Sequence, residues 1–209
     1  ESKRIITLAN CYDRIGDNET AYNYFVKANN LFVNLRKVNL FDKNRYIKII
    51  KDRVDFFTSS NIKTWNKLKL SNKKQDPTFL VGFPRSGTTL LDTILRSHAL
   101  IEVVEEKPII NQLVDSLNKL SKKGLKNLEK INETQVEKLR KVYFDSFDAQ
   151  IKNKNNSKIY IDKLPLNIVY AGEIIRIFPN AKFIVLIRHP YDCVFSCFMQ
   201  NFELNDAMA

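Results

Sequence analysis

The residues best suited to chemistry in this sequence form a glycine-containing loop. Gly82 and Gly87 stand at the spacing of the phosphate-binding Walker A loop, and Thr89 holds the place of its metal-binding hydroxyl. Thr88 replaces the lysine that reaches the β- and γ-phosphates of ATP in that motif, and Arg85 supplies a different positive charge. Because backbone amides at a helix start attract anions, the loop predicts a site for a phosphate-bearing ligand other than ATP.

A second candidate anion site follows a strongly apolar stretch. Residues 182–187 predict a buried strand, Arg188 stands at its end, and Ser196 lies in the helix that follows. Ligands bind beyond the carboxyl ends of parallel strands, so Arg188 is expected at the same edge of the sheet as the loop. Arg188 and Ser196 could together bind a separate phosphate. The alternative is a surface ion pair between Arg188 and Asp192, a contact of small energy.

Short apolar stretches alternate with helical patterns from residue 78 onward. The predicted strands are 78–83, 158–161 and 182–187, and the predicted helices are 88–97, 108–120, 133–152, 166–178 and 191–202. Apolar strands that alternate with helices favour a parallel sheet covered on both faces. The predicted fold class is therefore α/β, with a phosphate-binding loop in a parallel sheet flanked by helices.

Residues 1–70 are predicted to form a small all-α segment that precedes the sheet. The spacings of a tetratricopeptide repeat are matched by Leu8, Ala9, Tyr12, Gly16, Ala21, Phe25 and Ala28. The closing proline of that repeat is missing, since Val33 stands there, and the alternative is a plain helical hairpin. A further helix is predicted over 43–57. The polar run 71–77 predicts a junction before an α/β domain at 76–209. Both ends are expected to lie inside a longer protein.

The composition of the chain narrows the classes of partner and the compartment that the sequence predicts. The net charge of +11 comes largely from lysines in polar, Asn-rich stretches, which favours a solvated surface and no nucleic-acid partner. No apolar run approaches the length of a transmembrane segment, and no signal peptide is visible. The three cysteines have neither zinc-like nor disulfide-like spacing, which favours a reducing compartment.

The two anion motifs together resemble those of the sulfotransferases that use 3′-phosphoadenosine 5′-phosphosulfate (PAPS). Residues 82–91 are similar to the loop that binds the 5′-phosphosulfate, and residues 183–196 to the strand–helix unit that binds the 3′-phosphate. The sequence is most similar to the branch that fuses tetratricopeptide repeats to the catalytic domain and is akin to protein-tyrosine sulfotransferases. The resemblance covers about residues 75–209, with the N-terminal repeat as support.

The resemblance implies a role for each matching residue. The donor-binding residues would be Arg85, Ser86, Gly87, Thr88 and Thr89 for the 5′-phosphosulfate, and Arg188 and Ser196 for the 3′-phosphate. Glu106, the second residue of a Glu-Glu pair, matches the general base, although His98 is a rival. Lys163 resembles the lysine that steadies the transferring group, and Lys163 or Arg85 would meet charge on the leaving oxygen.

The implied function is in-line sulfuryl transfer from PAPS to a hydroxyl, with adenosine 3′,5′-bisphosphate (PAP) as product and no metal. The acceptor stays open between a protein tyrosine, a glycan and a small molecule, because Val104 and Lys107-Pro108 flank the Glu-Glu pair where the tyrosine enzymes have Gly and Thr-Arg. An atypical P-loop kinase and a non-catalytic scaffold, which binds a protein through the repeat, are the alternatives. Cysteine usage favours the cytoplasm, whereas the tyrosine enzymes imply the secretory lumen. Adenine contacts are expected beyond Ala209.

Overall fold

The computed structural model describes residues 1–35, 42–60, 62, 65, 68, 70, 74–120, 124–152, 155 and 158–200. These residues belong to two compact units. One unit is an α/β unit, Asp52–Arg188, and the other is a helical unit of Glu1–Lys51 with the segment from His189 onward. The domain boundaries predicted from the sequence stay a prediction, and residues 71–73 of the predicted junction lie outside the described residues. Within the described part of the chain, no helix has the length and apolar character needed to cross a membrane.

The helical unit begins with a pair of packed helices, as the sequence predicted. Helix α1 spans Ser2–Arg14 and α2 spans Asn18–Leu35. The turn between them contains Gly16 with a φ of 81°, a backbone conformation that glycine adopts without strain. Ala9, Ala21 and Ala28 are buried, and their small side chains let the two helices approach closely, while the buried Phe25 ring fills the space beside them. The pair fits a tetratricopeptide repeat and a plain hairpin equally, so the repeat assignment stays a prediction.

Two further helices contribute to this unit. Helix α3 spans Lys43–Ser59, two residues longer than predicted, and its second half belongs to the α/β unit. Helix α8 spans Pro190–Phe198, where the sequence predicted 191–202; residues 201 and 202 lie outside the described residues. The side-chain amide of Asn29 donates to the Phe198 carbonyl oxygen at 2.9 Å, and Phe198 packs against Phe25.

The α/β unit contains a four-stranded sheet. Its strands are β1 Thr78–Gly82, β2 Ile101–Glu105, β3 Ile159–Lys163 and β4 Lys182–Leu186. Their order is β2-β3-β1-β4, and every pair is parallel. The predicted parallel α/β sheet is therefore confirmed, but β2 was missed. Strand β3 also extends to Lys163 rather than ending at Ile161, because Asp162 and Lys163 continue the pairing with β1 and β2.

Helices cover both faces of the sheet. On one face, Phe79, Val81 and Val104 join a large core with α5 Ile109–Leu120, α6 Glu133–Asp148 and α7 Ala171–Ile177. On the other face, Leu80, Val103 and Ile161 pack against Leu91 and Leu95 of α4, which spans Thr88–Arg96. Alternate residues of each strand face opposite sides, so successive apolar residues fill both cores.

The helices differ from the predicted ones mainly at their ends. Helix α6 ends at Asp148 rather than at residue 152, and Asn132 and Gln135 form a capping box at its start. The helix predicted over 166–178 is instead a 3₁₀ helix, Pro165–Tyr170, followed by α7. A further 3₁₀ helix spans Gly124–Lys130 and was not predicted.

Candidate active site

The glycine-containing loop connects β1 to α4 with an unusual backbone path. Arg85 has a φ of 68° and Gly87, the N-cap of α4, a φ of 105°. At Gly82, a Cβ atom would lie 2.8 Å from both the Leu186 carbonyl oxygen and the Ser86 Oγ. Glycine is therefore required at position 82 by the close approach of β4 and of the loop itself. The first amides of α4 have no partner within the helix, so they are donors for an anion.

Two hydroxyls inside this loop are buried. Ser86 is 8% exposed, and its Oγ is a buried polar atom without a hydrogen-bond partner among the residues that the structure describes. Thr88 is also buried, whereas Arg85 and Thr89 are exposed. A buried hydroxyl without a partner costs free energy unless something else bonds to it. The loop therefore fits an anionic ligand that accepts a hydrogen bond from Ser86.

Arg188 reaches the loop from the neighbouring strand. It follows β4, whose Leu186 pairs in register with Gly82 of β1. Its Nη1 donates to the Arg85 carbonyl oxygen at 3.0 Å. Two arginines that lie 103 residues apart in sequence are thus in contact at the carboxyl edge of the sheet. Ser196 is a half-buried residue of α8, in the helical unit.

Lys163 and the two adjacent glutamates form a second polar cluster in the α/β unit. Lys163 ends β3, and its Nζ lies 3.0 Å from Glu105 Oε1 and 2.7 Å from Glu106 Oε1. The Glu106 amide donates to the Lys163 carbonyl oxygen at 2.7 Å, and Glu106 has a φ of 51°. Strand pairing explains the contact, because Glu105 and Lys163 are partners in the β2–β3 register.

The Lys163 ammonium is held in its charged form. Its side chain is fully buried, while those of Glu105 and Glu106 are about half exposed. Burial lowers the pKa of Lys163, but hydrogen bonds and charge interactions with Glu106 and Glu105 outweigh this effect and raise the pKa above its ordinary value. The result is a buried cation whose partners face solvent.

Arg96 and Asp92 extend this cluster, and the sequence analysis missed both. Arg96 Nη2 lies 3.3 Å from Glu105 Oε2 and 3.1 Å from Asp92 Oδ2, and Arg96 Nε also donates to Asp92. Asp92 is buried, and its hydrogen bond raises the pKa of Arg96. The signal available in the sequence was the four-residue spacing of opposite charges on one helix. His98, the rival base, uses its Nδ1 to accept the Leu100 amide at 3.2 Å, a turn contact.

Buried polar groups on either side of Lys163 were also missed. Asp162 is fully buried. Tyr143 donates its hydroxyl to Asp162 Oδ2 at 3.1 Å, while Oδ1 has no hydrogen-bond partner in the described part of the chain. Burial raises the pKa of Asp162 to about 7, although the Tyr143 hydrogen bond lowers it. Asn167, in the 3₁₀ helix after β3, is fully buried, and neither of its side-chain polar atoms forms a hydrogen bond with the residues that the structure describes.

No group of three or more His, Cys, Asp or Glu side chains that could hold a metal ion occurs among the described residues. The groups present are those of an anion site and of acid–base chemistry. The loop and Arg188 offer backbone, hydroxyl and guanidinium donors, and Glu106 offers an accessible carboxylate beside a buried cation. This set can bind a phosphate-bearing molecule and accept a proton from a hydroxyl.

Comparison with known proteins identifies one family. Residues 77–208 match the sequence model of the sulfotransferase family. An uncharacterized protein of Aquifex aeolicus is 31% identical over 190 residues, which is 89% of this chain and 24% of that protein. Human protein-tyrosine sulfotransferase 1 is 26% identical over 150 residues, which is 70% of this chain and 40% of the human protein. Protein-tyrosine sulfotransferase 2 of Gallus gallus is 25% identical over 119 residues, or 56% of this chain and 32% of that protein. The chain thus spans between 24% and 40% of the length of these relatives.

Proposed function

Because the chain belongs to the sulfotransferase family, we propose that it transfers a sulfuryl group from PAPS to a hydroxyl acceptor. The observation that carries this proposal is the contact between Arg188 and the Arg85 carbonyl oxygen at 3.0 Å. The contact supports the proposal, because the loop and Arg188, which the sequence separates widely, meet at one edge of the sheet and could each bind an anionic group. A donor with phosphate at both ends of an adenosine requires such a pair of sites.

The loop would hold the phosphosulfate end of the donor. The residues assigned to this task are Arg85, Ser86, Gly87, Thr88 and Thr89. Two observations support the assignment. Among the described residues the Ser86 hydroxyl has no hydrogen-bond partner, so it can donate to a ligand. The positive φ angles at Arg85 and Gly87 are of the kind that turns successive backbone amides toward an anion. PAPS itself supplies an activated sulfuryl group whose leaving group is a nucleotide. Arg188 and Ser196 would bind the 3′-phosphate.

Glu106 would act as the general base. Its side chain is 55% exposed, so an acceptor hydroxyl can approach it from solvent. Its Oε1 accepts a hydrogen bond from Lys163 at 2.7 Å, which orients the carboxylate at the end of β3. A carboxylate placed in this way can accept the proton of an acceptor hydroxyl. Lys163, together with Arg85, would offset negative charge that develops during transfer. The turn contact of His98 gives no comparable support to the rival assignment.

A tyrosine in a protein is the acceptor that the comparisons favour. Several of the relatives are named protein-tyrosine sulfotransferases. A glycan or a small molecule remains the alternative acceptor, because the residues around the Glu-Glu pair differ from the tyrosine-type pattern.

The helix pair α1–α2 would offer a surface for a protein partner. The cytoplasm is the compartment that cysteine usage supports.

Ligand binding followed by transfer tests the proposal. Titration calorimetry without magnesium should show saturable binding of adenosine 3′,5′-bisphosphate. Arg188→Ala should weaken it by roughly 2–5 kcal/mol, because one partner of a charged contact is removed. Arg14→Ala, which changes an exposed arginine at the end of α1, is the matched control.

The second arm follows labelled sulfate from PAPS to a panel of tyrosine peptides, glycans and small phenols. Glu106→Gln should abolish transfer and leave bisphosphate binding intact. Magnesium-dependent ATP binding with no bisphosphate binding would indicate a kinase instead. Bisphosphate binding with no transfer to any acceptor class would favour a non-catalytic scaffold.

A further inference from the structure

The two adjacent glutamates make different contacts, and from this difference we propose that they have different tasks. Arg96, anchored on Asp92, is a positioning residue that fixes Glu105. Glu105 in turn keeps Lys163 in place, which leaves Glu106 available as the base. The assignment of Glu106 rests on the proposed function, whereas the contacts of Arg96 and Glu105 stand by themselves.

The contacts of Glu105 use both of its carboxylate oxygens. Oε1 accepts from Lys163 Nζ at 3.0 Å, and Oε2 accepts from Arg96 Nη2 at 3.3 Å. Glu106 contacts Lys163 through Oε1 at 2.7 Å, and its Oε2 has no hydrogen-bond partner among the described residues. A carboxylate with a cation on each oxygen is fixed in orientation, while one with a single partner is able to turn toward an acceptor.

Arg96 is itself fixed by a buried group. Its Nε and Nη2 both donate to the carboxylate of Asp92, whose side chain is only 4% exposed. A two-pronged contact of this kind sets the plane of the guanidinium and leaves little rotational freedom. Both residues lie on α4, which is packed against the sheet through Leu91 and Leu95. The helix that begins at the phosphate-binding loop therefore also carries the group that fixes Glu105.

Such a fixed partner is needed because Lys163 is fully buried. A buried ammonium without an opposite charge is strongly unfavourable. When Glu106 turns from Lys163 to an acceptor hydroxyl, Lys163 loses one of its two carboxylates. Glu105 remains as the other, and Arg96 prevents it from rotating into solvent. The arrangement lets the base exchange partners while the buried cation keeps one.

The competing explanation is that Asp92 and Arg96 form a simple intrahelical ion pair that only stabilises α4. A double-mutant cycle separates the two explanations. The variants are Arg96→Gln, Glu105→Gln, the double variant and Arg96→Lys, made in the longest form of the protein that its gene encodes. Lys141→Gln is the control, because it neutralises another intrahelical pair, Lys141–Asp145, that is exposed on α6.

If Arg96 acts through Glu105, Arg96→Gln and Glu105→Gln should each lower kcat by roughly 10- to 100-fold, because a misplacement of about 1 Å at a reacting centre can cost about 100-fold. The KM for PAPS should stay within about twofold of wild type, because the donor site is not altered. The double variant should be no slower than Glu105→Gln alone. Arg96→Lys should restore only part of the rate, because a lysine keeps the charge but cannot make the two-pronged contact with Asp92.

The pH dependence of kcat/KM provides a readout that a merely structural role would not change. Glu105→Gln removes one of the carboxylates that raise the pKa of Lys163, so the alkaline limb should move to lower pH. Arg96→Gln keeps the charge of Glu105, so its alkaline limb should not move in that direction. Lys141→Gln should leave the rate and the profile unchanged.

Trace acetylation of Lys163, measured by mass spectrometry, tests the same contacts without any need for activity. Lys163 should be protected in wild type, most reactive in Glu105→Gln, and of intermediate reactivity in Arg96→Gln. Rate losses that multiply in the double variant, or Lys163 reactivity that is unchanged in Arg96→Gln, would overturn the positioning role. A wild-type protein that binds no bisphosphate but shows this acetylation pattern would refute the proposed function alone.

Discussion

The α/β unit contains two buried cations, Arg140 and Lys163, that differ in what surrounds them. Arg140 pairs with Asp76 at 2.7 Å, and both side chains are almost fully buried. Its Nη1 also donates to the Ile177 carbonyl oxygen at 3.1 Å, and its guanidinium lies over the ring of Phe178. Lys163 is buried just as deeply, but its partners are two half-exposed glutamates.

We expect this difference to separate a structural charge from a functional one. The partners of Arg140 are inside the protein, so no ligand can replace them without opening the core. The partners of Lys163 face solvent, so a ligand can compete for them at small cost to the fold. A buried charge whose partner is exposed is therefore the better indicator of a site than burial alone.

Replacing Lys163 should produce the largest effect on activity. Lys163→Met should lower transfer on the order of 10³-fold, since a preorganised charge near the reacting group is lost. The midpoint of urea unfolding should change little, because Glu105 and Glu106 can be hydrated once Lys163 is gone. Parallel measurements of transfer and unfolding check this expectation. A variant that unfolds readily while its remaining folded fraction transfers at the wild-type rate would place Lys163 with the structural cations.

Replacing Arg140 should have the opposite consequence. Arg140→Met should lower the free energy of unfolding by roughly 3–5 kcal/mol, because Asp76 is left buried without its partner. Bisphosphate affinity, measured at a temperature where the variant is folded, should match wild type. The adjacent exposed change Lys141→Gln should cost less than about 1 kcal/mol and serves as the control. Weaker bisphosphate binding by folded Arg140→Met would contradict a purely structural role for Arg140.

The same comparison shows what the sequence could predict. The loop glycines, Arg85 and the position of Arg188 followed from local spacing and from the rule for parallel strand ends. The contact between Lys163 and Glu105 was not predictable, because it depends on the β2–β3 register. Strand β2 was missed because it is only five residues long and two of them are glutamates, which is a weak signal for a buried strand.

The helices show a similar limit. Their presence in the α/β unit was predicted by apolar periodicity, but the 3₁₀ helix after Lys163 was predicted as part of an α-helix. Asp92 and Arg96 have ordinary helical spacing, and only the fold reveals that one is buried and the other reaches Glu105. Local patterns therefore predicted the glycine-containing loop between β1 and α4, whereas the carboxylate cluster needed tertiary structure.

Asp162 extends the comparison to a buried acid, and the effect expected there is the smallest. Its carboxylate accepts a hydrogen bond from the neutral hydroxyl of Tyr143. The pKa of Asp162 is about 7 in the folded protein, against about 4 for an unfolded chain, so the folded state binds its proton more tightly. The contribution of Asp162 to stability is thus greatest below pH 4 and declines as the pH rises to 7. Asp162→Asn should raise the free energy of unfolding by roughly 2–3 kcal/mol more at pH 8 than at pH 5.

Urea unfolding at the two pH values measures this difference, and Tyr143→Phe gives an independent check. That variant removes the hydrogen bond that lowers the pKa of Asp162, so the loss of stability should extend to higher pH than in wild type. Equal effects of Asp162→Asn at pH 5 and pH 8 would mean that Asp162 ionises normally in the folded protein. The Asp162 carboxylate would then have access to water, as the glutamates around Lys163 do. It would differ in this respect from the enclosed pair of Arg140 and Asp76.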